Sequence, residues 1–182
     1  MYGMVNKAIE GLVTERFGED TWFGVVERAG VEEESFISMD PYPDEVTYRL
    51  VGAASEILDT PPEALLEAFG VYWIKYVGQK GYGPMMDLEG QTLAEFLAGL
   101  DAMHSRVAAA MPKLRPPSFK LSIVSEQLYE LGYYSERPGL GPMVVGLLKG
   151  LLEVKGLTGE VRWIGQKGES LDYDRFQIQL SA

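Results

Sequence analysis

The prolines Pro116 and Pro117 divide this chain of 182 residues between two hydrophobic rhythms. Before them apolar residues recur every three to four positions, the period of helices that bury one face. After them Phe119, Leu121 and Ile123 alternate with Lys120 and Ser122, the period of a strand. A helix-period segment cannot rest as a strand, nor the reverse, so this switch constrains the fold more than any other feature. It predicts helices first, then mostly strands around one helix.

The first helix is predicted from Met4, Val5, Ala8, Ile9, Leu12, Val13 and Phe17, with a stop at Gly18. A short second one, DTWFGVVERAG, ends at Gly30, and an acidic loop with two prolines follows. The third runs from about Glu45 with Val46, Leu50, Ala54 and Ile57 on one stripe. Thr60-Pro61-Pro62-Glu63 has the grammar of a capping box opening a fourth, which carries Leu66, Phe69, Trp73 and Tyr76 before GQKGYGP ends it. A second box, Thr92 to Glu95, opens a fifth helix running to about Met111. Beyond Pro117 come a strand, the strand-like YELGYYSER, the apolar helix GPMVVGLLKGLLEVKG closed by Gly156, and a hairpin of Val161 and Trp163 with Phe176, Ile178 and Leu180. The expected class is α+β, one domain over 1–182 with an antiparallel sheet and a packed helix. No internal repeat or linker interrupts it.

Several function classes fall away on composition. With 27 acidic against 16 basic side chains, a net charge of −11, the chain lacks the cationic surface that phosphate backbones or anionic membranes require. It has no cysteine, which removes disulfides, thiolate metal sites and redox thiols. Asn6, Lys7 and Glu10 interrupt the N-terminal apolar run, so no signal peptide is read, and no stretch reaches the roughly 20 apolar residues of a membrane span. A soluble, cytoplasmic protein is expected. As an enzyme it lacks a G-x-S-x-G elbow. Val144 stands where a dinucleotide fingerprint needs its third glycine, GQKGYG lacks the Lys-Ser/Thr ending of a phosphate loop, and a peroxidase would want a second histidine. No catalytic residue is assigned.

The chain contains one histidine, His104, on the apolar face of the fifth helix with Leu93, Phe96, Leu97, Leu100, Met103, Val107 and Met111. Two readings stand open. In one it is a core histidine satisfied by a backbone carbonyl or by Asp101, one turn earlier. In the other it is a metal ligand. A zinc site would need carboxylates for every other ligand, whereas haem needs a single protein ligand because the porphyrin supplies four nitrogens. Tyr133, Ser135 and Arg137 form a second constellation at i, i+2 and i+4. In an extended segment they share one side at roughly 7 Å intervals, offering two hydroxyls and a guanidinium to an anionic ligand.

Y-x-S-x-R together with His104 and the downstream RPP resembles the H-NOX family, the haem nitric oxide/oxygen-binding domains. The opening MYGMVNKAIEGLVTERFGEDTW is similar to the family's first helices. The resemblance extends over essentially the whole chain and is closest to the bacterial stand-alone type. It implies haem b buried between the helical part and the sheet, with His104 as axial iron ligand and Tyr133, Ser135 and Arg137 holding the propionates. Pro117 would press on the porphyrin and distort it. Family members that hold oxygen stably place a tyrosine hydroxyl over it from the helix after Y-x-S-x-R. Here that helix offers Met143, Val144 and Leu147. Val5 and Ile9 would share the distal wall, and Trp73 is the one indole donor the fourth helix could deliver there. The resemblance thus implies a sensor of nitric oxide rather than oxygen, with carbon monoxide a further ligand, and a five-coordinate ferrous haem. Its signal would pass to a separate histidine kinase or diguanylate cyclase. The alternatives are an oxygen-binding protein of the same fold and a cofactor-free interaction module.

Overall fold

The structure is a computed structural model that describes residues 1–33, 35–77, 91–168 and 171–181. Among these are seven helices and the four strands of one sheet, in the order α1 (Gly3–Phe17), α2 (Glu19–Ala29), α3 (Asp44–Ile57), α4 (Pro62–Val77), α5 (Leu93–Ala98), α6 (Leu100–Ala110), β1 (Ser118–Ile123), β2 (Leu128–Tyr134), α7 (Gly141–Val154), β3 (Gly159–Gly165) and β4 (Asp174–Leu180). The change of period at Pro117 therefore marks the change from helix to sheet. The predicted end of the fourth helix in GQKGYGP lies outside the described residues.

The chain parts into two compact units, Met1–Phe69 and Gly70–Ala182. In the first, α1, α2 and α3 pack on one another. Ala8, Ile9, Leu12 and Val13 of α1, Val25 of α2, and Leu50 and Ala54 of α3 are buried. The Asn6 side-chain Oδ1 accepts the Thr47 hydroxyl at 2.7 Å inside this core. Gly18 and Gly30 end their helices with positive φ, as read from the sequence. This unit holds 15 of the chain's 27 acidic side chains and 4 of its 16 basic ones, so it carries the whole net charge of −11, and residues 70–182 hold 12 of each.

The second unit is built on an antiparallel sheet of order β1-β2-β4-β3. Leu131 opposes Leu121 on one side and Phe176 on the other, and Tyr129 opposes Ile178, so these side chains share the inner face. Val144, Val145, Leu148, Leu151 and Leu152 of α7 cover that face, and Leu93, Phe96 and Leu97 of α5 with Leu100 of α6 join the same core. The opposite side of α7 meets α4 very closely. A Cβ added at Gly70 would stand 2.2 Å from the Met143 carbonyl oxygen and 2.6 Å from the Leu147 amide nitrogen, and one at Gly150 would touch the Val71 backbone at 3.1 Å. Only glycine permits that approach.

Two helix readings need correction. The capping box at Thr92–Glu95 forms in full, but the one expected at Thr60 does not. Pro62 forces the residue before it out of helical conformation, so α4 starts one position late, and the Thr60 hydroxyl donates instead to the Leu58 carbonyl. The fifth helix is not continuous to Met111 either. It breaks at Gly99 into α5 and α6, where the costliest non-proline residue in a helix interior weakens the run.

Candidate functional site

His104 and the Y-x-S-x-R residues all belong to the second unit, and two strands bring them together. His104 lies midway along α6, half-buried, with its ring stacked on Phe119 of β1 at 5.4 Å between centroids. Phe119 pairs with Tyr133 across the β1–β2 ladder, and their rings are 5.5 Å apart. A line of rings thus runs from His104 to the first member of the motif.

The imidazole Nδ1 lies 2.8 Å from the Leu100 carbonyl oxygen, one turn back on the same helix. A carbonyl only accepts, so Nδ1 carries the proton and the lone pair is left on Nε2. Asp101, the other partner weighed from the sequence, bonds elsewhere. Its Oδ1 accepts the Phe119 amide N–H at 2.7 Å and its Oδ2 the Ser118 hydroxyl at 3.0 Å. Burial holds the imidazole pKa below its usual 6.5, against the raising effects of the Leu100 carbonyl and the Asp101 charge. The unfolded chain therefore takes up a proton here that the folded chain resists. The stability this contributes is fully present above pH 6.5 and is lost as pH falls from 6.5 through the lower folded pKa. We expect the haem-free protein's melting temperature to fall more between pH 7.5 and 5.5 than that of His104→Gln. Parallel melting curves at the two pH values check it, and equal falls would refute it.

The motif is not extended throughout. β2 ends at Tyr134, and the Ser135 hydroxyl oxygen accepts the Arg137 amide N–H at 3.1 Å, which turns the chain and abolishes the even 7 Å spacing. The three residues nevertheless converge. Burial pushes the Tyr133 hydroxyl pKa up, while a hydrogen bond with Ser135 and the nearby Arg137 charge pull it back and the Asp174 charge raises it further. Arg137 also donates to the Arg115 carbonyl at 2.8 Å, binding the turn to the segment just before Pro117. Pro117 itself is half-buried.

A third segment, missed from the sequence, completes this end of the sheet. Lys167, after β3, donates its ammonium to the Ser135 carbonyl at 2.7 Å, and its backbone N–H to Asp174 Oδ1 at 2.9 Å. Asp174 is the ladder partner of Tyr133. Nothing local marks Lys167, since its importance comes from pairing 32 residues away. The loop thereby gathers Lys167 and Arg137 beside two hydroxyls, a donor set suited to carboxylates.

The remaining predicted residues divide between the units. Met143 and Leu147 are half-buried on α7, near its contact with Gly70 of α4, whereas Val144 is 3% exposed and packs into the core over the sheet. Trp73, one turn beyond Gly70, is half-buried with its ring 6.2 Å from that of Tyr76, which in turn lies 5.9 Å from Tyr72. Val5 and Ile9 belong to α1 in the first unit, Ile9 fully inside and Val5 half-buried. Among the described residues, no group of three or more His, Asp or Glu is placed to hold a metal ion, and no helix is long and apolar enough to cross a membrane.

The fold is thus a helical part followed by an antiparallel sheet, with one histidine held by a backbone carbonyl and joined through the Phe119 ring to Tyr133, the first residue of the Y-x-S-x-R motif. The chain belongs to the haem-NO-binding family, whose model matches residues 2–162. Domains of this family bind haem and act as sensors, not as catalysts. The soluble guanylate cyclases gcy-33 and gcy-32 of Caenorhabditis elegans are 31% and 33% identical to it, over 85% and 82% of this chain. These alignments cover 16% and 22% of the two cyclases, so the chain spans about a fifth of the curated relatives it matches. In fold it matches an H-NOX protein from S. oneidensis in the Fe(II)NO ligation state, with a TM-score of 0.88, 18% identity and full coverage of both chains. An unliganded Fe(II) H-NOX protein from K. algicida superposes with a TM-score of 0.85 and 18% identity, over 100% of this chain and 97% of that one.

Proposed function

We propose that this chain, acting as one domain over 1–182, binds haem b through His104 Nε2 and senses nitric oxide. The observation that carries the reading is the bond from His104 Nδ1 to the Leu100 carbonyl, which fixes the neutral tautomer and aims the lone pair of Nε2 away from its own helix. Bound haem would supply an iron with one open position for a diatomic gas. Tyr133, Ser135 and Arg137 would take its propionates, with Lys167 closing the loop behind them, and Pro117 and Phe119 would lie beside His104 against the ring.

Met143 and Leu147, on the side of α7 that meets α4, present no hydrogen-bond donor. Bound oxygen is strongly polarised and gains from a donor, while nitric oxide depends on one far less, so this lining favours nitric oxide. A second reading, stable oxygen binding, is favoured by one observation. Trp73 carries an indole N–H one turn from the α4–α7 contact. For output we propose a partner in trans, a histidine kinase or a diguanylate cyclase, and a cytoplasmic location. The strongly acidic first unit supports docking to a basic surface on that partner.

Visible absorption of the anaerobically reduced protein tests this directly. We expect a five-coordinate ferrous spectrum that shifts on nitric oxide or carbon monoxide and shows no stable oxygen complex in air. A persistent oxygen complex that disappears in Trp73→Phe would turn the function to oxygen. No haem uptake on reconstitution would return the chain to a cofactor-free module.

A further inference from the structure

Asp101 stands one turn before His104 on α6, yet its carboxylate reaches across to β1, taking the Phe119 amide at 2.7 Å and the Ser118 hydroxyl at 3.0 Å. β1 is an edge strand, so its outward N–H groups have no strand to bond, and Asp101 caps one of them. Hydrogen bonds to an ionised carboxylate are the strong kind. The two residues held are those directly after Pro117, and Phe119 is also the ring on which His104 stacks. Three contacts therefore converge on one short segment, two from Asp101 and one from His104.

We infer that Asp101 is a positioning residue that clamps the ligand-bearing helix to the sheet, and so decides whether His104 can follow the group bound at its Nε2. The inference rests on the haem reading of the site. The two hydrogen bonds are what α6 must break to move relative to β1, so while they hold His104 is kept in place beside Phe119, and without them helix and histidine are free to move together. With haem held at Nε2, the clamp would therefore favour loss of the His104 bond when a gas is captured, and a freed α6 would favour its retention.

The test compares the full chain with Asp101→Ala, Asp101→Asn and Ser118→Ala. In the haem-free proteins, amide exchange of Phe119 is followed by NMR. We expect it to be at least tenfold faster in Asp101→Ala and within about threefold of wild type in Asp101→Asn, whose amide oxygen still accepts the N–H. In the haem-loaded proteins, the fraction keeping His104 bound after nitric oxide is added is read from the visible spectrum. It is expected to rise in Asp101→Ala, with Asp101→Asn and Ser118→Ala between that variant and wild type. Unchanged Phe119 exchange in Asp101→Ala would overturn the clamp. Faster exchange with an unchanged His104-bound fraction would overturn its role in release. Should Asp101→Ala not fold, the Asn and Ser118 variants carry the same comparison with smaller shifts. A wild type that takes up no haem would instead overturn the reading of the site, and with it the consequence for His104, whatever Phe119 exchange shows.

Discussion

Replacing His104 by glycine is expected to abolish the axial ligation of haem and to lower its retention by roughly 100-fold or more. Losing a residue that merely orients a metal ligand already costs 10- to 100-fold, and loss of the ligand itself exceeds that. The variant should fold, because His104 is only half-buried and its ring hydrogen-bonds within its own helix, at Leu100. Gel filtration after haem loading, with the ratio of Soret to 280 nm absorbance, measures retention. Added imidazole should restore the ferrous spectrum by entering the space the side chain leaves beside Phe119. A variant that keeps haem with wild-type affinity and spectrum would show that the ligand is another group, and His104 would then be a core residue bonded to a carbonyl.

The second large effect concerns the floor on which the site stands. Phe176 is fully buried at the centre of β4, opposite Leu131, with its ring 6.1 Å from Trp163 and 6.4 Å from Tyr133. Phe176→Ala removes a large side chain from between two aromatic neighbours that cannot close the gap. It should cost about 3–5 kcal/mol of stability, a fall in melting temperature on the order of 10 °C. Because Tyr133 rests on Phe176 and faces the Ser135–Arg137 turn, haem retention should drop alongside stability. Calorimetry of the haem-free protein, followed by haem titration below the new melting temperature, measures the two separately. A loss under 1 kcal/mol would mean the inner sheet face is not the core of this unit.

What could be read from the sequence was what is local or periodic. The switch at Pro117, the Thr92–Glu95 cap, the glycine stops at 18, 30 and 156 and the inward side of His104 follow from residues within one or two turns of each other, where backbone preference and amphipathic spacing act. The residues of Y-x-S-x-R were legible as a group, although the turn at Ser135 that gathers them was not, since that hydrogen bond competes with extension only once the strand has ended.

Other features were decided only by tertiary structure. The order β1-β2-β4-β3 places Tyr133 beside both Phe119 and Asp174, and Asp174 in turn holds Lys167 against Ser135. Asp101 could equally have faced His104; the amide of an edge strand 18 residues away claims it instead. Gly70 reads as an ordinary weak point in a helix until α7 presses its backbone against it. In each case the partner is distant in the chain. Sequence spacing sets which face a side chain takes, but the packed fold alone sets which donor or acceptor waits across from it.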